Sequence, residues 1–308
     1  MARRFNVVGI GEVLWDLLAS GPKMGGAPAN FAYHARSLGA NGRAITRVGD
    51  DDLGRGILEC FAELDLPTDT VQAGDTAPTG TARATLSADG SAHFSIQENA
   101  AWDFLEVRPE AQEAARNADA VCFGSLAQRS AMSRATIQHL VAAVPAHALR
   151  VFDVNLRQQY YSRPVIEQSL RLANVLKLND EELRVLGEIL GIAGSVENQI
   201  LDLARRLGAG GRRGSRIPAV VALTRGANGS LLYREGVWSD CGSRAVEVVD
   251  TVGAGDSFTG ALVLGLLNNM GLDAINSIAN DVACYVCSQA GATPAMPTAL
   301  AKRFQTKA

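Results

Sequence analysis

The sequence predicts an α/β fold in which a mainly parallel β-sheet is covered by helices on both faces. Short apolar or β-branched segments recur near 5–10, 44–48, 119–123, 149–154, 174–178 and 219–224. Segments with the apolar spacing of helices lie between several of them, at 28–38, 53–64, 130–143, 180–190 and 197–207. Strands that alternate with helices are typical of parallel sheets, because each connection must return to the same end of the sheet.

One region departs from this alternation and predicts a small separate β element. Residues 79–97 look like two strands joined by Asp89-Gly90, which is a strong hairpin signal. Val13 to Leu18 is another short strand-like segment. Such strands form either a flap that excludes water from a site or a meander at the sheet edge, and the pattern favours neither.

The composition indicates a globular protein and argues against several classes of function. The chain has 308 residues, of which 47% are hydrophobic and 20% charged, and this is enough for a large core. A net charge of −3 gives no general attraction to nucleic acid or to an anionic membrane, so neither is expected as a partner. With no apolar run of about 18 residues and no signal-peptide pattern, the expected location is the cytoplasm.

The strongest functional signal lies in residues 249–261, which read V-D-T-V-G-A-G-D-S-F-T-G-A. Asp250 and Asp256 flank a turn, and the apolar residues that follow predict a buried helix. Free N–H groups at a helix N-terminus attract anions. The residues that form this anion site are Gly253, Ala254, Gly255 and Asp256. A carboxylate in such a place suits a general base that takes a proton from a hydroxyl attacking a bound phosphate.

A second group of residues suits a polyol ligand. Gly25 and Gly26 precede a predicted helix and allow a ligand to approach the backbone, while Asn30 offers a donor and an acceptor. Asp16 lies just upstream, where it either faces water or accepts hydrogen bonds from sugar hydroxyls. Arg157 follows a strand-like segment, and ligands of open α/β sheets bind at the carboxyl ends of strands.

Two further segments have both a structural and a functional interpretation. Asn179 and Glu182 form a helix N-cap and its capping-box partner, or they hold the waters of a Mg²⁺ ion. Thr224, Gly226 and Gly229 connect two strand-like runs, as an ordinary hairpin turn or as a turn beneath a nucleotide. Other nucleotide and hydrolase motifs are missing, since the chain has no G-x-x-x-x-G-K-[ST] and no G-x-S-x-G.

Taken in order, these motifs resemble the ribokinase/PfkB family of carbohydrate kinases. The 250–256 segment resembles the family's C-terminal signature, and 25–30 with 48–51 resembles its N-terminal signature. Gly11-Glu12 with Trp15-Asp16 looks most like bacterial fructokinases. The resemblance implies one domain over 1–308 with a ribokinase-like fold, a three-layer αβα sandwich with a mainly parallel central sheet. It also implies a small β lid formed from about 13–25 and 79–103.

The resemblance implies transfer of the γ-phosphoryl group of ATP to a sugar hydroxyl, with fructose as the expected substrate. Asp256 is then the general base beside the anion hole formed by 253–256. The sugar contacts are Asp16, Gly25, Gly26, Asn30 and Arg157. The Mg²⁺–phosphate residues are Asn179 and Glu182, and the ATP contacts are Thr224, Gly226, Gly229, Gly253 and Gly255, with Asn280 at the adenine. Some members also bind a monovalent cation, and the matching elements here are Asp250 and the Val252 carbonyl, so K⁺ is an optional further cofactor.

Several alternatives stay open at this point. Ribose, 2-keto-3-deoxygluconate or a nucleoside could replace fructose, and a nucleoside would need an aromatic pocket, for which Trp15, Trp102 and Phe104 are candidates. An acidic sugar would need cations near the acceptor, and Lys23 and Arg157 are available. A non-catalytic sugar sensor is disfavoured because Asp256 and its glycines are intact. The lid edge could also pair with a second copy in a homodimer.

Overall fold

In a computed structural model, a nine-stranded sheet forms the centre of the protein and a four-stranded sheet lies beside it. The structure describes residues 4–18, 21–86, 92–208, 219–242 and 244–304. Its strands are β1 (Asn6–Ile10), β2 (Leu14–Leu18), β3 (Gly21–Gly25), β4 (Asn41–Gly49), β5 (Val71–Gly74), β6 (Thr81–Leu86), β7 (Ala92–Ile96), β8 (Ala120–Phe123), β9 (Leu149–Asp153), β10 (Val175–Asn179), β11 (Val220–Thr224), β12 (Ser230–Arg234) and β13 (Val237–Cys241).

The helices pack on both faces of the central sheet. They are α1 (Ala27–Ser37), α2 (Asp52–Glu63), α3 (Pro109–Arg116), α4 (Ala131–Ala143), α5 (Arg163–Leu172), α6 (Asp180–Leu190), α7 (Val196–Arg206), α8 (Ala254–Leu267), α9 (Leu272–Cys287) and α10 (Thr298–Ala301). Among the described residues, none of the helices is long and apolar enough to cross a membrane.

The central sheet has the strand order β13-β12-β11-β10-β9-β8-β1-β4-β5. In this spatial order, the seven strands from β11 across to β5 all run parallel to their neighbours. Strands β12 and β13 extend the sheet beyond β11 as an antiparallel hairpin. Because the seven parallel strands share one direction, their carboxyl ends lie on the same side of the sheet. An open α/β sheet binds its ligands at these carboxyl ends.

The two faces of the sheet bury separate hydrophobic clusters, as three layers require. Successive residues of β8 illustrate this, since side chains alternate across a strand. Val121 packs in the cluster that contains Ile137 of α4, whereas its neighbour Cys122 packs in the cluster that contains Leu262 of α8. Strands that bury both faces are apolar throughout, and this explains why the central segments were recognisable as unbroken apolar runs.

The small sheet has the order β3-β2-β6-β7, with β2 parallel to β6 and the outer pairs antiparallel. This confirms a second β element, which we call the lid sheet. The predicted turn at Asp89-Gly90 lies outside the described residues, although the pairing of Ala82 with Ile96 is that of a hairpin. Strand β3 was not predicted, because its sequence, G-P-K-M-G, has little intrinsic β propensity and depends on pairing with β2.

Candidate functional site

A cavity of about 620 Å³ lies between the lid sheet and the carboxyl ends of the parallel strands. Its lining contains Asp16 and Lys23 from the lid sheet, Asn30 from α1, and Asp256 from α8. Asn179 at the end of β10 lines it as well. The structure therefore brings most of the predicted sugar and phosphate residues into one cavity.

The N-terminus of α8 opens onto this cavity through a turn that only glycine tolerates easily. Gly253 has φ +80°, and a Cβ on it would lie 2.4 Å from the Ala292 carbonyl oxygen. The Ala254 N–H donates to the Thr251 carbonyl at 3.3 Å. The Gly255 and Asp256 N–H groups form no hydrogen bond with any part of the chain that the structure describes. Of the predicted anion-site amides, those of Gly255 and Asp256 are therefore the ones free to meet an anion.

Asp256 itself is partly buried in the first turn of α8. The Asn30 side chain donates from Nδ2 to Asp256 Oδ2 over 2.9 Å, which fixes the orientation of both groups. Burial, with the nearby Asp153 charge, raises the pKa of Asp256 to about 6, against opposing effects from Asn30, Lys177 and Arg157. A carboxyl with this pKa is ionised at neutral pH and is more basic than an exposed aspartate, as a general base requires.

A buried ion pair under the anion site was not recognised from the sequence. Lys177 Nζ lies 3.1 Å from Asp153 Oδ1, and the Thr259 hydroxyl of α8 donates to Asp153 Oδ2 over 2.9 Å. Burial lowers the pKa of Lys177, but Asp153, Glu182 and Asp256 raise it further, so the net shift is upward and the ammonium stays charged. A Cβ on Gly255 would lie 2.9 Å from Nζ. Lysine between the apolar residues Leu176 and Leu178 of β10 is the signal that could have revealed this cation.

The glycines before α1 make room for the Asp16 carboxylate and for the backbone at Glu12. A Cβ on Gly25 would lie 2.3 Å from Asp16 Oδ2, and a Cβ on Gly26 would lie 2.5 Å from the Glu12 carbonyl oxygen. Gly26, with φ +117°, is the N-cap residue of α1. Burial raises the pKa of Asp16, whereas the Arg157 charge lowers it. Glu12 was not assigned a role from the sequence, yet it is 2% exposed and lines the cavity.

Asn179 and Glu182 adopt the capping-box geometry at the start of α6. Asn179 Oδ1 accepts from the Glu182 N–H, and Glu182 Oε2 accepts from the Asn179 N–H over 2.8 Å. Glu182 Oε1 accepts from the Leu156 N–H over 3.0 Å. The structural interpretation is thus confirmed. Because both carboxylate oxygens already accept a backbone hydrogen bond, they fit the hydration shell of a Mg²⁺ ion better than direct ligation.

Asp250 connects the turn before α8 to the segment that follows α9. Its Oδ1 accepts from the Val252 N–H and its Oδ2 accepts from the Gly291 N–H, both over 3.0 Å. Val252 is 47% exposed. In the described part of the chain, no group of three or more His, Cys, Asp or Glu side chains could hold a metal ion. A cation here would depend on backbone carbonyls, as the resemblance to the family implied.

The remaining predicted residues lie on the side of the sheet where the parallel strands end. Arg157 lines the cavity and is exposed. Thr224 of β11 pairs in register with Asn179 of β10, so it lies on the strand next to the predicted Mg²⁺–phosphate residues. Gly226 and Gly229 form the turn between β11 and β12, and Asn280 donates from Nδ2 to Ser230 Oγ at the start of β12. The predicted site extends beyond the 620 Å³ cavity. Four of its residues do not line that cavity, namely Thr224, Gly226, Gly229 and Asn280.

Comparison with known proteins gives matches over most of the chain. The family model of the pfkB family carbohydrate kinases matches residues 21–299. The fructokinase of Klebsiella pneumoniae is 30% identical over 298 residues, covering 93% of this chain and 92% of that protein. The crystal structure of an uncharacterized sugar kinase from Pyrococcus horikoshii in complex with ATP has a TM-score of 0.76 at 27% identity, covering 93% of this chain and 94% of that one.

A more distant structure shows the same fold. A double mutant of the Vibrio cholerae fructokinase, bound to fructose, ADP and a potassium ion, has a TM-score of 0.76 at 23% identity, covering 99% of this chain and all of that one. The ribokinase-like fold predicted from the motifs is confirmed. The match of the family model over most of the chain shows that the protein belongs to the pfkB family of carbohydrate kinases and is a phosphotransferase.

Proposed function

We propose that this protein transfers the γ-phosphoryl group of ATP to a hydroxyl of a free sugar, with fructose as the first substrate to test. The observation that carries the proposal is the Asp256 carboxylate, held by Asn30 at the N-terminus of α8 and lining the cavity beside the lid sheet. A general base and an anion site within one helical turn are what phosphoryl transfer to an alcohol requires.

In this proposal Asp256 accepts the proton of the attacking hydroxyl. Its pKa of about 6 leaves it ionised at neutral pH, and its hydrogen bond from Asn30 keeps the other carboxylate oxygen available. The Gly255 and Asp256 N–H groups face the charge that develops on the transferred phosphoryl group, with Gly253 setting the turn and Lys177 lying beside it. The base and the charge stabilisation therefore come from neighbouring atoms of one turn.

The cofactor sites extend from this centre along the sheet edge. Asn179 and Glu182 would hold waters of a Mg²⁺ ion, which neutralises phosphate charge when it is bound. The nucleotide contacts proposed beyond them are Thr224, Gly226, Gly229 and Asn280. The ATP complex of the Pyrococcus relative supports ATP as the donor. Asp250 and the Val252 carbonyl are the proposed K⁺ elements, and the potassium ion in the Vibrio structure is the support for testing this ion.

On the acceptor side, we assign the sugar contacts to Asp16, Gly25, Gly26, Asn30 and Arg157. The lid strands, in segments 13–25 and 79–103 of one kinase domain, would close over the sugar and exclude water as a competing acceptor. A homodimer through the open edge of the lid sheet and a cytoplasmic location are further expectations. The homodimer is proposed because an open strand edge can pair with a second copy. The location is proposed because the relatives are carbohydrate kinases.

One alternative substrate class has support from the cavity. Lys23 and Arg157 both line it, so an acidic sugar such as 2-keto-3-deoxygluconate is the second candidate. The aromatic residues considered for a nucleoside pocket, Trp15, Trp102 and Phe104, do not line this cavity. A flat base would thus find no stacking partner among them, and a nucleoside is the weaker choice.

The test is an ADP-release assay with fructose, ribose, glucose, 2-keto-3-deoxygluconate, tagatose-6-phosphate and adenosine, each with and without K⁺. We expect fructose to be among the better acceptors and K⁺ to raise the rate. A clear preference for 2-keto-3-deoxygluconate would replace fructose while leaving the kinase assignment intact. ADP release that no sugar stimulates would contradict the proposed function.

The pH dependence provides a separate prediction. Since only the ionised Asp256 can accept a proton and its pKa is about 6, kcat/KM for the sugar should fall as pH drops through this value. Below it the decrease should approach about tenfold per pH unit. Initial rates from pH 5 to 8 at saturating MgATP would measure the profile, and constant kcat/KM across this range would exclude Asp256 as the base.

A further inference from the structure

Glu12 is a buried acidic side chain that none of the roles assigned above includes. It lies between the end of β1 and the start of β2, where the central sheet gives way to the lid sheet. Only 2% of the residue is exposed, yet it lines the same cavity as Asp16, Asn30 and Asp256. A carboxyl group buried this deeply is costly unless its polar atoms find partners.

One side of the Glu12 carboxyl faces the backbone at the start of α1. Gly26, the N-cap residue of α1, has no side chain with which to cap the helix, and the N–H groups of Ala27 and of Glu12 itself interact with the Glu12 carboxyl. A carboxylate near the first N–H groups of a helix is favourable. This part of the group has a structural function that is satisfied within the chain.

The other side has no partner in the described part of the chain. Neither Glu12 Oε2 nor Asn30 Oδ1, both buried, forms a hydrogen bond with any residue that the structure describes. The orientation of the Asn30 amide is fixed, because its Nδ2 donates to the Asp256 carboxylate, which accepts hydrogen bonds when ionised. Glu12 and Asn30 both line the cavity, so these are two unsatisfied oxygen atoms of cavity residues. A sugar hydroxyl has one O–H to donate, and when Glu12 is protonated the hydroxyl can donate to Asn30 Oδ1 while it accepts from Glu12 Oε2.

The charges around Glu12 allow it to donate as well as accept. Burial raises the pKa of Glu12 to about 7, and the Asp256 charge adds to this, while Arg157 and the backbone N–H groups oppose it. Near neutral pH both protonation states are populated. A sugar hydroxyl is also both a donor and an acceptor, so it can match either state of the carboxyl.

We propose that Glu12 is a specificity-determining residue of the acceptor site, where its Oε2, together with Asn30 Oδ1, binds a sugar hydroxyl other than the one that is phosphorylated. This rests on the proposed sugar kinase activity, and it narrows the substrate to a polyol with a second hydroxyl within reach of the reacting one. A site that hydrogen-bonds a substrate hydroxyl rejects the analogue without it, because its buried polar groups are then left unpaired.

The test compares the best sugar of the panel with its singly deoxygenated analogues, one for each hydroxyl, in the wild-type protein and in Glu12→Ala. In the wild type, one analogue that retains the reacting hydroxyl should lose about ten- to a hundredfold in kcat/KM relative to the parent sugar. In Glu12→Ala this particular ratio should shrink to about twofold, while the ratios for the other analogues stay as in the wild type. Glu12→Gln, which keeps polar atoms but no charge, should give an intermediate ratio.

The controls separate this role from a general effect on folding. Asp119→Asn removes another buried carboxylate, at the amino end of β8, and should leave every ratio unchanged. If Glu12→Ala does not fold, the ratios of Glu12→Gln are used. Equal ratios in wild type and variants, even with lower overall rates, would show a purely structural role and overturn the proposal. A wild-type protein that phosphorylates no sugar would instead remove the proposed function and this inference with it.

Discussion

Asp256→Asn is expected to lower kcat for sugar phosphorylation by about 10²–10⁴-fold, which is the usual contribution of a general base. The amide keeps the size of the side chain and can still accept the hydrogen bond from Asn30 Nδ2. Because the helix N-terminus and Lys177 remain, the affinity for ATP should change little. The measurements are kcat by ADP release and ATP affinity by calorimetry in the absence of sugar.

The same substitution should stabilise the free protein. Burial raises the pKa of Asp256 from 3.8 to about 6, so the folded state binds a proton more tightly than the unfolded chain. Stability therefore decreases as pH rises from about 4 to about 6, and the full penalty of the ionised group is present at neutral pH. After allowance for its partial exposure, removing this charge should add about 1–2 kcal/mol to the free energy of unfolding at pH 7.

Two results would contradict this account of Asp256. Near-normal turnover in Asp256→Asn would exclude the residue as the base. A loss of stability at pH 7 would show that its charge is favourable in the folded state. Asp119→Asn serves as the control for both experiments, because it changes a buried carboxylate that does not line the cavity.

Gly253→Ala is expected to reduce kcat/KM by about 10²–10³-fold, comparable with the loss of an oxyanion donor. Gly253 has φ +80°, which costs an alanine about 1–2 kcal/mol, and its new Cβ would lie 2.4 Å from the Ala292 carbonyl oxygen. The turn must then move away from Ala292, and the Gly255 and Asp256 N–H groups move with it. Thermal unfolding and steady-state kinetics together measure the two effects.

Gly236 provides the matched control for this substitution. It has φ +85° in the turn between β12 and β13, and an added Cβ would meet no atom of the described residues within 4 Å. Gly236→Ala should therefore show the cost of the backbone conformation alone, with normal activity. If Gly253→Ala behaves like Gly236→Ala in both stability and rate, the geometry of the turn is not essential to catalysis.

The parts of the fold that could be predicted from the sequence are those with local signals. The parallel strands bury both faces and so appear as apolar runs, of which Val220–Thr224 is an example. The capping box of Asn179 and Glu182 was equally visible, since its residues are three positions apart and bond to each other. Strand β3 was missed because only its partner β2 makes it a strand.

In the candidate site as well, the features with local sequence signals could be predicted and those that depend on long-range contacts could not. The turn at Gly253 and the proposed base, Asp256, lie within one segment, so their proximity needed no knowledge of the fold. The Lys177–Asp153 pair joins residues 24 positions apart, and the Asn30–Asp256 hydrogen bond joins residues 226 positions apart. These contacts depend on which strands are neighbours and on how α1 packs against α8. No spacing within the sequence specifies them.

The most direct test of the central claim follows the label from [γ-³²P]ATP in the wild-type protein and in Asp256→Asn, side by side with fructose. The account predicts labelled fructose phosphate from the wild type, and ATP binding without labelled sugar from the variant. Equal labelling of the sugar by both proteins would contradict the assignment of Asp256 as the base. The absence of labelled product from the wild type would contradict fructose as the acceptor.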